Sequence, residues 1–208
     1  MEKTLDKAKL ILDENERVIA NILHDIKSPV YSIKIALQTK LDNELNRDIY
    51  ETASDIINYI ENFLVNYNFK TGKFSNKIVE CNVKEIINKK IESYKYIFLE
   101  KNISISIIDE TNKPCIVNSI GIFLSSILGN IISNIAFHAS KNSNAIIKLE
   151  QNQGFILVNF QNEYEKNNEN FSLGLDFCKK LSKSIKTEIN FKKTNNAVNV
   201  CLKIPDSI

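Results

Sequence analysis

Tryptophan is absent from this 208-residue sequence, methionine occurs once, and there are only five glycines, three prolines and two histidines. Asn, Ile and Lys fill the space those residues leave, a bias that fits AT-rich coding and lowers the weight of any single Asn or Lys. Cys81, Cys115, Cys178 and Cys201 lie far apart with no CxxC pair, which argues against a zinc site. No signal peptide is expected, and no unbroken apolar run approaches the roughly 18 residues of a membrane span. A net charge of +2 is too small to argue for nucleic acid or for an anionic membrane surface. There is no internal repeat and no low-complexity tail. What these absences leave is a reducing, cytoplasmic setting, with the cysteines expected as buried thiols.

What is present is ordinary in bulk and specific in one place. Hydrophobic residues make up 43% and charged residues 25%, and the length suits one large domain or two small ones with separate cores. The informative stretch is Asn21-Ile22-Leu23-His24-Asp25-Ile26-Lys27-Ser28-Pro29-Val30. Ile22, Ile26, Ile33 and Leu37 recur at helical spacing and predict a buried stripe. His24 lies about 200° around the helix from Ile22, at roughly 100° per residue, so its imidazole is expected at the surface. Its helical neighbours Arg17, Asn21, Ser28 and Tyr31 are polar or amphipathic. A lone surface histidine is inert by default; its company sets this one apart.

The wider pattern places that stretch on a helical hairpin. One helix is predicted from about Leu5 to Lys40, with a kink at Pro29. A polar break at Lys40-Leu41-Asp42-Asn43 leads into a second helix carrying Leu45, Ile49, Ala53, Ile56, Ile60, Phe63 and Tyr67 on one face. A hairpin alone leaves an apolar stripe uncovered, and pairing two hairpins into a four-helix bundle buries it, so a homodimer is expected. Lys70-Thr71-Gly72-Lys73 reads as a linker between a hairpin domain, 1–69, and an α/β domain, 77–208.

In that second domain the spacing predicts a short strand over Lys77–Cys81 and a helix from an Asn82/Glu85 capping box to about Glu100. A half-buried strand follows through Ile103, Ile105 and Ile107. Thr111-Asn112-Lys113-Pro114 turns the chain into a strongly apolar helix, Ser119 to Ala139. A hairpin of Ala145–Glu150 and Phe155–Gln161 turns at Asn152-Gln153-Gly154. A polar stretch, Asn162 to Asn170, precedes a helix over Ser172–Lys186. Two closing strands, Thr187–Lys192 and Ala197–Ile204, meet across Asn195-Asn196. The fold class is α+β, with helices on one face of a sheet.

A helical hairpin bearing His24-Asp25-Ile26-Lys27-Ser28-Pro29, followed by an α/β domain with an Asn-rich helix, resembles the two-component sensor histidine kinases. The resemblance covers nearly the whole chain. It implies a dimerisation and phosphoacceptor hairpin joined to an ATP-binding domain of the GHKL type. His24 falls on the phosphoacceptor, and Asp25 on an acid that assists proton transfer from it. Lys27 is placed to offset phosphate charge, or simply to sit solvated on the helix. Asn130-Ile131-Ile132-Ser133-Asn134 resembles the N-box, which implies an Mg²⁺ and ATP-phosphate face with Asn134 at the metal-contacting position. A neutral imidazole suits this chemistry, because it can take up a phosphoryl group and pass it on.

The departures from the family pattern carry equal weight. The first glycine box should follow the Phe155–Gln161 strand, but Asn162-Glu163-Tyr164-Glu165 stands there, with Asn162 for the adenine-reading Asp and no glycine. Tyr and Glu at those positions are expected to obstruct a nucleotide. The second box is reduced to Ser172-Leu173-Gly174-Leu175, leaving Gly174. Phe137 replaces a basic residue, and Asn118 an acidic one. Phosphoryl transfer depends on positioning and charge neutralisation, so ATP and Mg²⁺ are expected to bind weakly or not at all. The expectation is a protein acting on a partner response regulator as a phosphatase or phosphotransfer relay, with Ser28, four residues after His24, placing the attacking water. An autokinase with a divergent site, and a non-catalytic dimeric scaffold or small-molecule sensor, remain the alternatives.

Overall fold

The computed structural model describes residues 2–37, 44–71, 77–164, 172–194 and 196–208. The predicted break at Lys40–Asn43, most of the linker, the segment 165–171 and Asn195 lie outside the described residues. The chain divides into two compact units, Met1–Ser75 and Asn76–Ile208.

The first unit is a pair of helices, α1 (Glu2–Leu37) and α2 (Glu44–Lys70). Lys34 lies over the Tyr50 ring while Lys27 reaches Glu61, so the helices run antiparallel. Pro29 sits inside α1, and the helix continues through it. The seam is a heptad pattern on both sides. On α1 the most covered positions are Ala20, Leu23, Lys27, Val30, Lys34 and Leu37; on α2 they include Tyr50, Ala53, Ile57, Ile60, Leu64 and Tyr67. Three- and four-residue steps keep such a seam facing its partner.

Two expectations are corrected here. The stripe read as buried on α1 is open in the single chain: Ile22 is 51% exposed, and Ile26 and Ile33 are also exposed. On α2, Leu45, Ile49 and Ile56 are exposed, while Tyr50 and Ile57, one residue on from Ile49 and Ile56, are buried. Each helix carries two apolar stripes about 100° apart, and a hairpin can cover only one of them.

The second unit packs helices against a five-stranded sheet. Its elements in order are β1 (Val79–Asn82), α3 (Val83–Ser93), α4 (Lys95–Glu100), β2 (Ser104–Asp109), β3 (Ile116–Ser119), α5 (Gly121–His138), β4 (Asn144–Asn152), β5 (Phe155–Glu163), α6 (Ser172–Ser184), β6 (Glu188–Lys193) and β7 (Ala197–Pro205). The large sheet has the order β2-β4-β5-β7-β6, with β2 parallel to β4 and the other pairs antiparallel; β1 and β3 form a separate antiparallel pair.

Local chemistry explains the boundaries. Asn82 Oδ1 accepts the Glu85 backbone N–H at 3.2 Å and its Nδ2 donates to Glu85 Oε1 at 3.0 Å, closing a capping box at the head of α3. The helix predicted to run on to Glu100 is split at Tyr94, whose ring packs edge-on against Phe137 with centroids 5.8 Å apart. Gly154 takes φ +84° at the β4–β5 turn, a conformation other residues adopt at a cost.

The period of two along β5 and β7 sends Ile156, Val158, Phe160 and Asn162, with Val198, Val200, Leu202 and Ile204, to the helix side. They meet α5, which buries Phe123, Leu124, Ile127, Leu128, Ile131, Ile132 and Ile135. By length and hydropathy α5 could cross a membrane, yet here it is the core helix of the unit.

Candidate functional sites

On the first unit, His24 stands on the outer surface of α1 with its side chain 79% exposed. Its position fits the helical arithmetic: it lies off both apolar stripes. Asp25 is equally open, with Oδ1 3.5 Å from His24 Nδ1. Ser28 and Tyr31, one and two turns on, are exposed too. The Ser28 carbonyl accepts a hydrogen bond from the Ser32 hydroxyl at 3.1 Å. Imidazole, carboxylate and hydroxyl therefore line one accessible strip.

Lys27 differs from the solvated lysine that the sequence allowed. Its Nζ lies 2.7 Å from Glu61 Oε1 on α2, and both side chains are partly covered. Lys34, one heptad later, is largely buried, and desolvation pulls its pKa below the usual lysine range, against an opposing pull from Glu61. Glu61 was not singled out by sequence, because its partner lies across a hairpin rather than along one helix.

On the second unit, the residues of the N-box resemblance separate. Asn130 turns back on its own helix and donates from Nδ2 to the Ser126 carbonyl at 2.9 Å. Asn134, one turn on, lines a cavity with Ile131, Ile135, Phe160, Asn162, Val198 and Val200. That cavity holds about 10 Å³, whereas small-molecule sites span roughly 300–1,000 Å³. Asn162 is only 3% exposed and donates from Nδ2 to the Glu163 carbonyl at 2.9 Å. So Asn134 and Asn162 share a cavity, Asn130 is not among its lining residues, and Gly174 falls in the first turn of α6.

Glu163 and Tyr164, directly after Asn162, are pinned in place. The Ser140 N–H donates to the Glu163 carbonyl, and the Tyr164 N–H to the Asn196 carbonyl. Tyr164 also bridges to Ala139, its hydroxyl donates to the Thr194 carbonyl at 3.2 Å, and Lys193 lies 4.4 Å above its ring. At the position where the resemblance implies a cation, Phe137 is instead committed to packing on Tyr94.

His138, the second histidine, is half-buried at the end of α5, where desolvation and the nearby Lys101 charge lower its pKa. Asn118 is exposed on β3, its N–H donating to the Asp206 carbonyl at 2.7 Å.

Two roomier hollows of about 480 Å³ lie elsewhere, one on the outer sheet face around Lys148, Asn159, Asn190 and Cys201, the other at the β4–β5 turn beside Lys113 and Asp206. Neither is lined by Asn130, Asn134 or Asn162. Among the described residues, no group of His, Cys, Asp and Glu side chains could hold a metal ion.

No protein-family model matches the chain. In sequence it is similar to the sensor protein KdpD of Clostridium acetobutylicum, 27% identical over 218 aligned positions that cover 87% of this chain. The chain spans only 24% of that relative's length. In structure it is similar to the Acinetobacter baumannii histidine kinase AdeS, with TM-score 0.61, 13% identity, and coverage of 88% of this chain and 97% of that one. The catalytic domain of histidine kinase ThkA superposes with TM-score 0.56 and 18% identity, covering 63% of this chain and 98% of that domain. These likenesses establish the fold as that of the histidine kinases, including their GHKL-type catalytic domain.

Proposed function

We propose that this chain, which groups with the sensor histidine kinases in sequence and fold, acts on the phosphorylation state of a partner response regulator through the His24 strip of α1. The favoured direction is hydrolysis of the regulator's aspartyl phosphate, or relay of its phosphoryl group through His24. One contrast carries this reading. The His24 strip is open to a partner, while the cavity shared by Asn134 and Asn162 is nearly filled.

The residues around that cavity fit a nucleotide with magnesium poorly. Ile131, Ile135, Phe160, Val198 and Val200 occupy its walls, Asn130 is turned onto Ser126, and no described carboxylate lines it. On this reading the hairpin supplies the groups for hydrolysis. Water attacks the phosphorus of the aspartyl phosphate, the P–O bond to the aspartate breaks, and inorganic phosphate leaves. The His24 imidazole takes the proton that the water gives up, and Asp25 beside it steadies the charge that develops. Ser28, one turn on, orients the water. In a relay, the His24 nitrogen attacks instead, and the phosphoryl group rests on the ring.

The exposed Ile22, Ile26, Ile33 stripe on α1 and Ile49, Ile56 on α2 support a homodimer in which two hairpins form a four-helix bundle. We place the activity in the cytoplasm, where response regulators are found. Incubation with radiolabelled ATP and Mg²⁺ tests the direction of the chemistry. Little or no label is expected, and clear labelling that disappears in His24→Ala would establish an autokinase instead.

A further inference from the structure

Lys27 stands three residues after His24 on α1, a spacing that sets two side chains side by side with Cβ atoms about 5–6 Å apart. Its ammonium is nevertheless drawn sideways into the hairpin seam, 2.7 Å from Glu61, where the two side chains are 35% and 46% exposed. The same carboxylate acts on Lys34, which sits over the Tyr50 ring one heptad later. Lys27, the lysine paired with Glu61, borders the turn that carries His24.

We propose that Glu61 is a positioning residue for phosphoryl chemistry at His24. It holds Lys27 in the seam while His24 is bare, and releases it to the phosphoryl oxygens when phosphate arrives there. This rests on the reading of His24 as a phosphoryl-handling group. A phosphoryl group brings roughly 1.5–2 negative charges near neutral pH, against one for the carboxylate, so it competes well for the ammonium. Lys27 hangs on a flexible four-carbon stem and can exchange partners by changing rotamer. The exchange is tolerable because the Glu61 side chain is 46% exposed, so water can take over its carboxylate when Lys27 leaves. The charge on His24 is in this way coupled to α2.

The test uses the intact chain and potassium phosphoramidate, which phosphorylates imidazole without nucleotide. The P–N bond of the reagent breaks, a P–N bond to the ring forms, and ammonia leaves with the proton that the ring gives up. Phosphorus NMR follows the initial rate, with His24→Ala subtracting any label on His138. Freeing Lys27 by Glu61→Gln is expected to raise the rate about two- to fivefold, the range an exposed ion pair is worth. Lys27→Gln should lower it by a similar factor. Glu61→Gln should then have no effect in the Lys27→Gln background, and Glu61→Asp should return the rate to wild type.

An effect of Glu61→Gln that persists without Lys27, or that Glu61→Asp fails to rescue, overturns the proposal in favour of a merely structural role. The charge swap Lys27→Glu with Glu61→Lys covers the case in which Glu61→Gln unfolds. It keeps a seam pair and should react as slowly as Lys27→Gln, and a wild-type rate would contradict the proposal. If no variant, wild type included, takes phosphate on His24, the underlying reading of His24 fails instead.

Discussion

Asn134 on α5 and Asn162 on β5 line one cavity of about 10 Å³, room for a single water at most. Phe160 and its branched aliphatic neighbours wall that cavity between helix and sheet, and on the reading proposed above they leave little room there for a nucleotide. The expected consequence is a dissociation constant for ATP weaker than about 1 mM. Calorimetric titration with ATP and Mg²⁺ checks it, and micromolar binding would show that the pocket opens.

Phe160 is the largest side chain on that wall and is fully buried. Phe160→Ala is expected to cost about 3–5 kcal/mol in denaturant unfolding, because the contacts vanish and the neighbours relax only partly. A loss below about 1 kcal/mol would mean that the wall collapses into the space.

His24→Ala should remove the effect on a phosphorylated regulator, by about 10²-fold or more if the imidazole serves as general base. Ser28→Ala should give a smaller loss, since it orients water without taking a proton. Equal activity of Ser28→Ala and wild type would dismiss the water-placing role and leave Ser28 a surface serine.

The open stripe on the hairpin predicts self-association. Burying one isoleucine fully is worth about 1.5–3 kcal/mol, so a double change, Ile22→Asp with Ile26→Asp, should convert a dimer to a monomer in light scattering. A wild-type monomer at micromolar concentration would contradict the bundle.

Asp109 offers a pH test on the second unit. Its carboxyl is lowered to about 2 by hydrogen bonds from Lys84 and Thr111. A carboxylate whose folded pKa lies below its unfolded value contributes stability above the unfolded pKa and loses it as pH falls towards the folded one. Asp109→Asn should therefore be slightly less stable than wild type at pH values above about 4, with the gap closing towards pH 2. A gap that stays constant across this range would assign the effect to packing.

The sequence made some of this structure legible and hid the rest for identifiable reasons. The Asn82/Glu85 cap, the β4–β5 hairpin and the exposure of His24 depend on neighbours within a few residues, and all were readable. β3 was not, because Ile116–Ser119 is a four-residue strand whose pairing with β1 spans a distant part of the chain. On α2 the expected face was right at Ala53, Ile60 and Tyr67 but off by one residue at Ile49 and Ile56, which are as apolar as the buried Tyr50 and Ile57, and only the partner helix decides between them. The Lys27–Glu61 pair and the filled cavity needed tertiary structure altogether. The proposed chemistry rests on the motif around His24, and the proposal that ATP binds weakly rests on the packing around Asn162.

The most direct measurement is the decay of a phosphorylated receiver domain, with the wild-type chain and with His24→Ala, in the absence of any nucleotide. The expected result is faster loss of the aspartyl phosphate with wild type alone, appearing as inorganic phosphate or as phosphate on His24. Decay at the spontaneous rate with both proteins would contradict a phosphoryl-handling role for the His24 strip.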